Sequence, residues 1–176
     1  MVSIMSLRGH HYSTNVLVET ASFLVVRLGV SYMALPADGV RGILTREETR
    51  NEEAVTMAGA VYQPVDLAQR LSVLADLSGL EMRTVLYSNG RSQGAIRVEQ
   101  VVGLTDVARK DCLPLPPQFQ RDERNWFAGM TLYLGHLVLI LNSSWVLGEL
   151  ADVVPTSLVQ AELTITTTPA TVGRSC

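Results

Sequence analysis

Short apolar runs punctuated by glycine dominate the chain between residues 23 and 141. Phe23-Leu24-Val25-Val26-Arg27-Leu28 is apolar and β-branched, Gly29 breaks it, and Ser31-Tyr32-Met33-Ala34-Leu35 resumes before Pro36. Two such runs around a glycine predict a hairpin. Ala37-Asp38-Gly39 predicts a turn. Val40-Arg41-Gly42-Ile43-Leu44 follows, with Val40 and Leu44 on one face if extended, or Val40 and Ile43 together if helical. Met82 to Tyr87 and Gly94 to Val98 read as strands joined through Ser88-Asn89-Gly90, a turn sequence suited to a tight hairpin. Val101 to Val107 continues in the same pattern. Trp126 to Leu134 and Leu137 to Leu141 flank Gly135-His136, a third hairpin with His136 as a solvated tip residue.

Between these runs lies Met57-Ala58-Gly59-Ala60-Val61-Tyr62-Gln63-Pro64-Val65-Asp66-Leu67-Ala68-Gln69-Arg70-Leu71. Pro64 removes a ladder donor, so it belongs at an edge, a bulge or a strand end. Asp66 stands where extended structure stops and is placed to cap a helical turn from Leu67 to Leu71. Asn142 or Ser143 similarly caps a last short helix, Ser144 to Leu150. Thr45 to Ala54 is strongly charged and reads as a solvated loop, an acidic docking site being the alternative. Ser72 to Gly79, Leu113-Pro114-Leu115-Pro116-Pro117 and Gln118 to Asn125 read as loops. About nine or ten short strands with glycine turns and two short helices predict small barrels or a sandwich.

Composition narrows the functional classes. The chain has 176 residues, 47% apolar and 18% charged, enough to bury a core in one domain or two small subdomains. The net charge of −3 and pI of 5.6 come without a basic stripe, which argues against a nucleic-acid binder. Mean hydropathy is +0.21, yet the densest apolar run, Leu137 to Leu141, is far short of the roughly 20 residues a spanning helix needs. The excess hydrophobicity therefore points to strands buried on both faces or to an apolar surface for partners. Met1 to His11 lacks the apolar segment of a signal peptide, and Cys112 and Cys176 make no disulfide framework, so a cytoplasmic location without membrane insertion is expected.

No catalytic or phosphate-binding motif is present. His10-His11 lacks a third ligand of suitable spacing, so no metal is expected. Cys112 has no neighbouring histidine to activate it. Glu99 is the best candidate for a buried carboxylate, and as a lone one it reads as an exposed or hydrogen-bonded structural residue. No enzyme activity and no cofactor are expected; a small-molecule enzyme built on barrels would need a convergent polar cluster that the sequence does not supply.

The ordered series of motifs resembles the CheW-like domain, the adaptor fold of bacterial chemosensory arrays. Phe23 to Pro36 is similar to its first hairpin, and Val40-Arg41-Gly42-Ile43 falls at its Val-x-Glu-Val/Ile. Thr56 to Leu71 corresponds to Asn-Leu-Arg-Gly followed by Pro-Val-Val-Asp-Leu. Gly94 to Gly103 resembles its Gly-x-x-Val-Asp-x-Val segment, with Glu99 as the acid. The resemblance implies an all-β fold of two SH3-like five-stranded β-barrel subdomains packed together, with one or two short helices. It covers 23–150 as the CheW-like domain, leaving 1–22 as an N-terminal extension and the Thr-rich, weakly patterned 151–176 as a tail expected to be disordered. It also implies a non-catalytic adaptor that couples the cytoplasmic tip of a methyl-accepting chemoreceptor to the regulatory domain of a CheA-type histidine kinase. The receptor helix would lie in an apolar groove containing Val40, Ile43 and Val101; ordinary core burial is the competing reading of all three. Three motif positions are altered: Gly42 for glutamate, Thr56 for asparagine and Ala58 for arginine. An acid and a base lost together suggest one coupled feature, which opens the alternative of a single-partner binding module in a motility or pilus-type chemosensory system.

Overall fold

The computed structural model of the chain describes residues 19–49 and 54–149. Among them are ten strands in two five-stranded sheets. The first sheet contains β1 (Thr20–Leu28), β2 (Ser31–Pro36), β8 (Gln100–Ala108), β9 (Phe127–Tyr133) and β10 (His136–Leu141), in the order β8-β1-β2-β10-β9. The second contains β3 (Val40–Thr45), β4 (Val55–Met57), β5 (Ala60–Asp66), β6 (Arg83–Ser88) and β7 (Gln93–Val98), in the order β3-β6-β7-β5-β4. The second sheet is thus one continuous stretch of chain inserted between the second and third strands of the first. Both sheets curl into barrel-like subdomains. In the first, the chain beyond β8 reaches β9: the Leu113 amide donates to the Met130 carbonyl (2.7 Å), and the Met130 amide donates back (2.9 Å).

Strands apolar on both faces are what make two curled sheets share one core. On β1, Leu24, Val26 and Leu28 face the second sheet, while Phe23 and Val25 fill the first barrel with Ala34, Val107, Val138 and Ile140. From the second sheet Val85, Tyr87, Ile96 and Val98 enter the shared cluster, and Tyr62, Leu86 and Ala95 fill the smaller interior behind them. β1 begins at Thr20, three residues before the apolar run, because Thr20, Ala21 and Ser22 pair with Ala108, Val107 and Asp106.

Three short helices accompany the sheets, against the two expected. Helix α1 (Leu67–Leu71) is capped as anticipated: Asp66 Oδ1 accepts from the Gln69 amide at 2.9 Å. Its other carboxylate oxygen meets Arg97 Nη2 at 3.1 Å. Helix α2 (Glu123–Trp126) lies in a stretch expected to be loop, and α3 (Ser143–Val146) is capped by Asn142, which accepts from the Ser144 amide. Pro64 stands in β5 beyond the reach of the three-residue β4, whose pairing stops at Tyr62, so its missing donor leaves no gap in that ladder. The Asn89-Gly90 sequence makes a four-residue loop instead of a two-residue turn, because Asn89 Oδ1 accepts from the amides of both Arg91 and Ser92. The tip of the last hairpin is Leu134-Gly135, both at positive φ. His136 is the first residue of β10, stacked on Tyr32 with ring centroids 4.4 Å apart.

Candidate functional site

The candidate groove residues lie on edge strands, each next to a bulge. In β3, Val40 pairs with Tyr87, Gly42 with Leu86 and Ile43 with Val85, so Arg41 is an extra residue. Directly opposed residues on antiparallel strands point to the same face. The bulge therefore aligns Val40 and Ile43 with Tyr87 and Val85, on the side of the shared cluster. This corrects the simple strand expectation, in which Val40 and Leu44 share a face; Leu44 instead packs into the second sheet's interior. Val40 is half-buried against the shared cluster, whereas Ile43 is 43% exposed where that cover ends.

Val101 sits at the start of β8, the edge strand of the other sheet. It pairs with Val26, and Gly103 with Val25, which makes Val102 the extra residue of a second bulge. Its partner Val26 belongs to the shared cluster, and Val101 packs half-buried against the same cluster. Val40 and Val101 thus border one apolar mass from two different sheets, with Ile43 displayed beyond Val40. Core burial accounts for part of Val40 and Val101 and for little of Ile43.

The altered motif positions also converge. A β-carbon on Gly42 would lie 3.3 Å from Met57 Cε and 3.6 Å from Leu86 Cδ1, so a side chain there would point at the β4–β5 hairpin. Met57 immediately precedes Ala58, which turns that hairpin with Gly59; both have positive φ, at 49° and 78°. Thr56 is exposed on β4 opposite Val61. A side chain at 42 would therefore approach the hairpin whose turn holds position 58.

Glu99 marks the return of the chain from the second sheet to the first. Its Oε2 accepts from the amides of Gly29 (2.9 Å) and Asp76 (3.1 Å), and its Oε1 pairs with Arg27 Nη2 at 3.0 Å. Arg27 Nε continues to Gln100 Oε1 at 3.0 Å. The carboxylate is a structural knot, in keeping with the sequence reading. Elsewhere on the shared core, Arg70 Nη1 donates to the Val146 carbonyl at 2.6 Å. Its guanidinium covers the Trp145 ring at 4.4 Å, and Trp145 stacks on Trp126 at 5.4 Å.

Polar groups elsewhere serve local structure. Hydrogen bonds from the Thr45 amide and hydroxyl hold Glu48 below the usual carboxylate range, Ser78 does the same for Asp76, and Asn89 leads the set acting on Glu149. A cavity of 720 Å³ opens beside β3 and β6, and Val40, Ile43 and Val101 do not line it. Its arginines are engaged: Arg46 with the Ser78 carbonyl, Arg83 with those of Leu80 and Met82, Arg97 with Asp66. Cys112 is half-buried. No group of three or more metal-ligating side chains occurs among the described residues, and His10-His11, Cys176 and the expected tail at 151–176 lie outside them. No helix among the described residues is long and apolar enough to cross a membrane.

A family model, the CheW-like domain, matches residues 22–150. The chain belongs to the CheW-like domain family. The crystal structure of the scaffolding protein TtCheW from Thermoanaerobacter tengcongensis has the same fold. The match has a TM-score of 0.59 at 14% identity, covering 70% of this chain and 90% of that one. No curated protein matches the chain. Family membership accounts for the two curled five-stranded sheets and for the order of motifs along them. The edge-strand positions of Val40, Ile43 and Val101 are not legible in the sequence, where each is one valine or isoleucine among many.

Proposed function

We propose that this CheW-like protein is a non-catalytic adaptor that couples the cytoplasmic tip of a chemoreceptor to the regulatory domain of a CheA-type histidine kinase, in the cytoplasm. The observation that carries the reading is that half-buried Val40 and Val101 pack on one apolar cluster from the edge strands of two sheets, with Ile43 exposed beyond Val40. An amphipathic receptor helix would lay its apolar face against such a surface, reading it through residues spaced at i, i+3 and i+4. Co-sedimentation of the protein with a CheA-type kinase and a receptor signalling fragment tests it. Ternary assembly supports the adaptor.

A second reading is favoured by Gly42 and Ala58, where a family acid and base are both absent. In that reading the chain is a single-partner module of a motility or pilus-type chemosensory system. Co-sedimentation with one partner only, at concentrations that saturate it, would select this reading over the first.

A further inference from the structure

The Glu99 knot lies two residues before Val101, and it ties three separate segments. The Gly29 amide belongs to the β1–β2 turn, the Asp76 amide to the loop after α1, and the carboxylate itself to the crossing between the sheets. Arg27 adds a fourth link by holding both Glu99 and the next residue, Gln100. Gly29 is seated tightly: at φ 59°, a β-carbon there would stand 2.1 Å from the Leu74 carbonyl oxygen. The Glu99 side chain is only 16% exposed. Its acceptors are therefore committed to these donors in a setting where replacement by water is restricted.

The apolar core is built from other side chains. Val25, Val26, Val85, Ile96 and Val98 are fully buried apolar side chains. The knot lies where β8 leaves the crossing, and the backbone pairing of Arg27 with Gln100 continues from it. With Glu99 and Gln100 both held by Arg27, Val101 is delivered opposite Val26, and the Val102 bulge absorbs the extra residue before Gly103 pairs with Val25. We infer that Glu99 is a positioning residue for the helix-binding groove: it sets where Val101 stands relative to β3. The inference rests on the groove reading given above.

The test measures binding of a fluorescein-labelled peptide of a chemoreceptor cytoplasmic tip to the full chain. Wild type, E99Q, E99A, E99D, R27M and V101A are compared well below their melting temperatures. Losing charge-assisted hydrogen bonds at this site should weaken binding about tenfold in E99Q, E99A and R27M. V101A should fall similarly, and E99D should recover part of the loss. Amide exchange at Gly29 and Asp76 should accelerate in the same variants. Unchanged affinity in E99Q and R27M, with faster exchange at Gly29, would show a knot that is only structural and would overturn the inference. E99Q and R27M keep the question open to measurement if E99A fails to fold. Absence of peptide binding by wild type itself would overturn the groove reading, and the positioning role with it.

Discussion

Gly39 and Tyr87 leave no room for an atom between them. A β-carbon on Gly39 would lie 2.3 Å from Cζ and 2.6 Å from the hydroxyl of the Tyr87 ring. Gly39 ends the 3-10 turn that carries the chain from the first sheet into the second, and the ring belongs to the shared cluster. Its requirement is close approach and not backbone conformation. Gly39→Ala should therefore destabilise the fold by about 1–3 kcal/mol, because a packed ring cannot retreat. Urea denaturation gives the difference, and Y87F should not rescue it, since Cζ and Cε2 remain.

The same ring should impose a pH limit. Burial, and then the negative charge of Asp38, push the Tyr87 phenol up to about 12. The folded state favours the neutral form, so this contribution to stability is fully present below the unfolded value near pH 10 and is lost as pH rises towards 12. The urea midpoint of wild type should fall over that window more steeply than that of Y87F.

Arg70 joins the helix after β5 to the helix after β10. Arg70→Met removes a hydrogen bond to the Val146 carbonyl and a cation–π contact with Trp145, and should cost about 2–4 kcal/mol. Calorimetry measures the loss. The indole fluorescence of the stacked Trp145 and Trp126 should change at the same time, because the cation sits on one face of that stack. Arg70→Lys should recover only part, lacking the planar fork.

Restoring the family's charges tests whether positions 42 and 58 form one feature. Gly42→Glu alone would drive a carboxylate towards Met57 and Leu86, and should destabilise by about 1–3 kcal/mol. Ala58→Arg alone, on an exposed turn, should change stability by less than about 0.5 kcal/mol. The double variant should be more stable than the sum of the two singles. Additivity within about 0.3–0.5 kcal/mol in a double-mutant cycle would reject the coupling.

Much of this architecture is legible in sequence, and what is not has identifiable causes. Asp66, standing where extended structure stops, announces α1 and its cap, and the glycine-broken apolar runs announce the hairpins. The β3 bulge left no mark, because Arg41 suits an exposed position in a regular strand as well as in a bulge. The crossing at Glu99 was equally hidden: Gly94 to Val107 reads as nearly continuous β sequence, and only pairing shows that Val98 and Gln100 belong to different sheets. Helix α2 was obscured by its polar composition and its length of four residues. Of the site, the residue types were visible; the face that each one takes depends on the two bulges.

Inserting the second sheet whole within the first also constrains biosynthesis. β3 through β7 emerge from the ribosome consecutively and can pair as they appear, whereas β1 and β2 must wait for β8, β9 and β10. At about 5–20 residues per second, translating Gln100 to Leu141 takes roughly 2–8 s. Throughout that interval the β2 edge of a hairpin that carries Val25, Val26, Ala34 and Leu35, all at 0% exposure in the finished fold, lacks its partner β10. The nascent chain therefore presents a waiting apolar hairpin to the cell's chaperones, and chains released before β10 should aggregate through it.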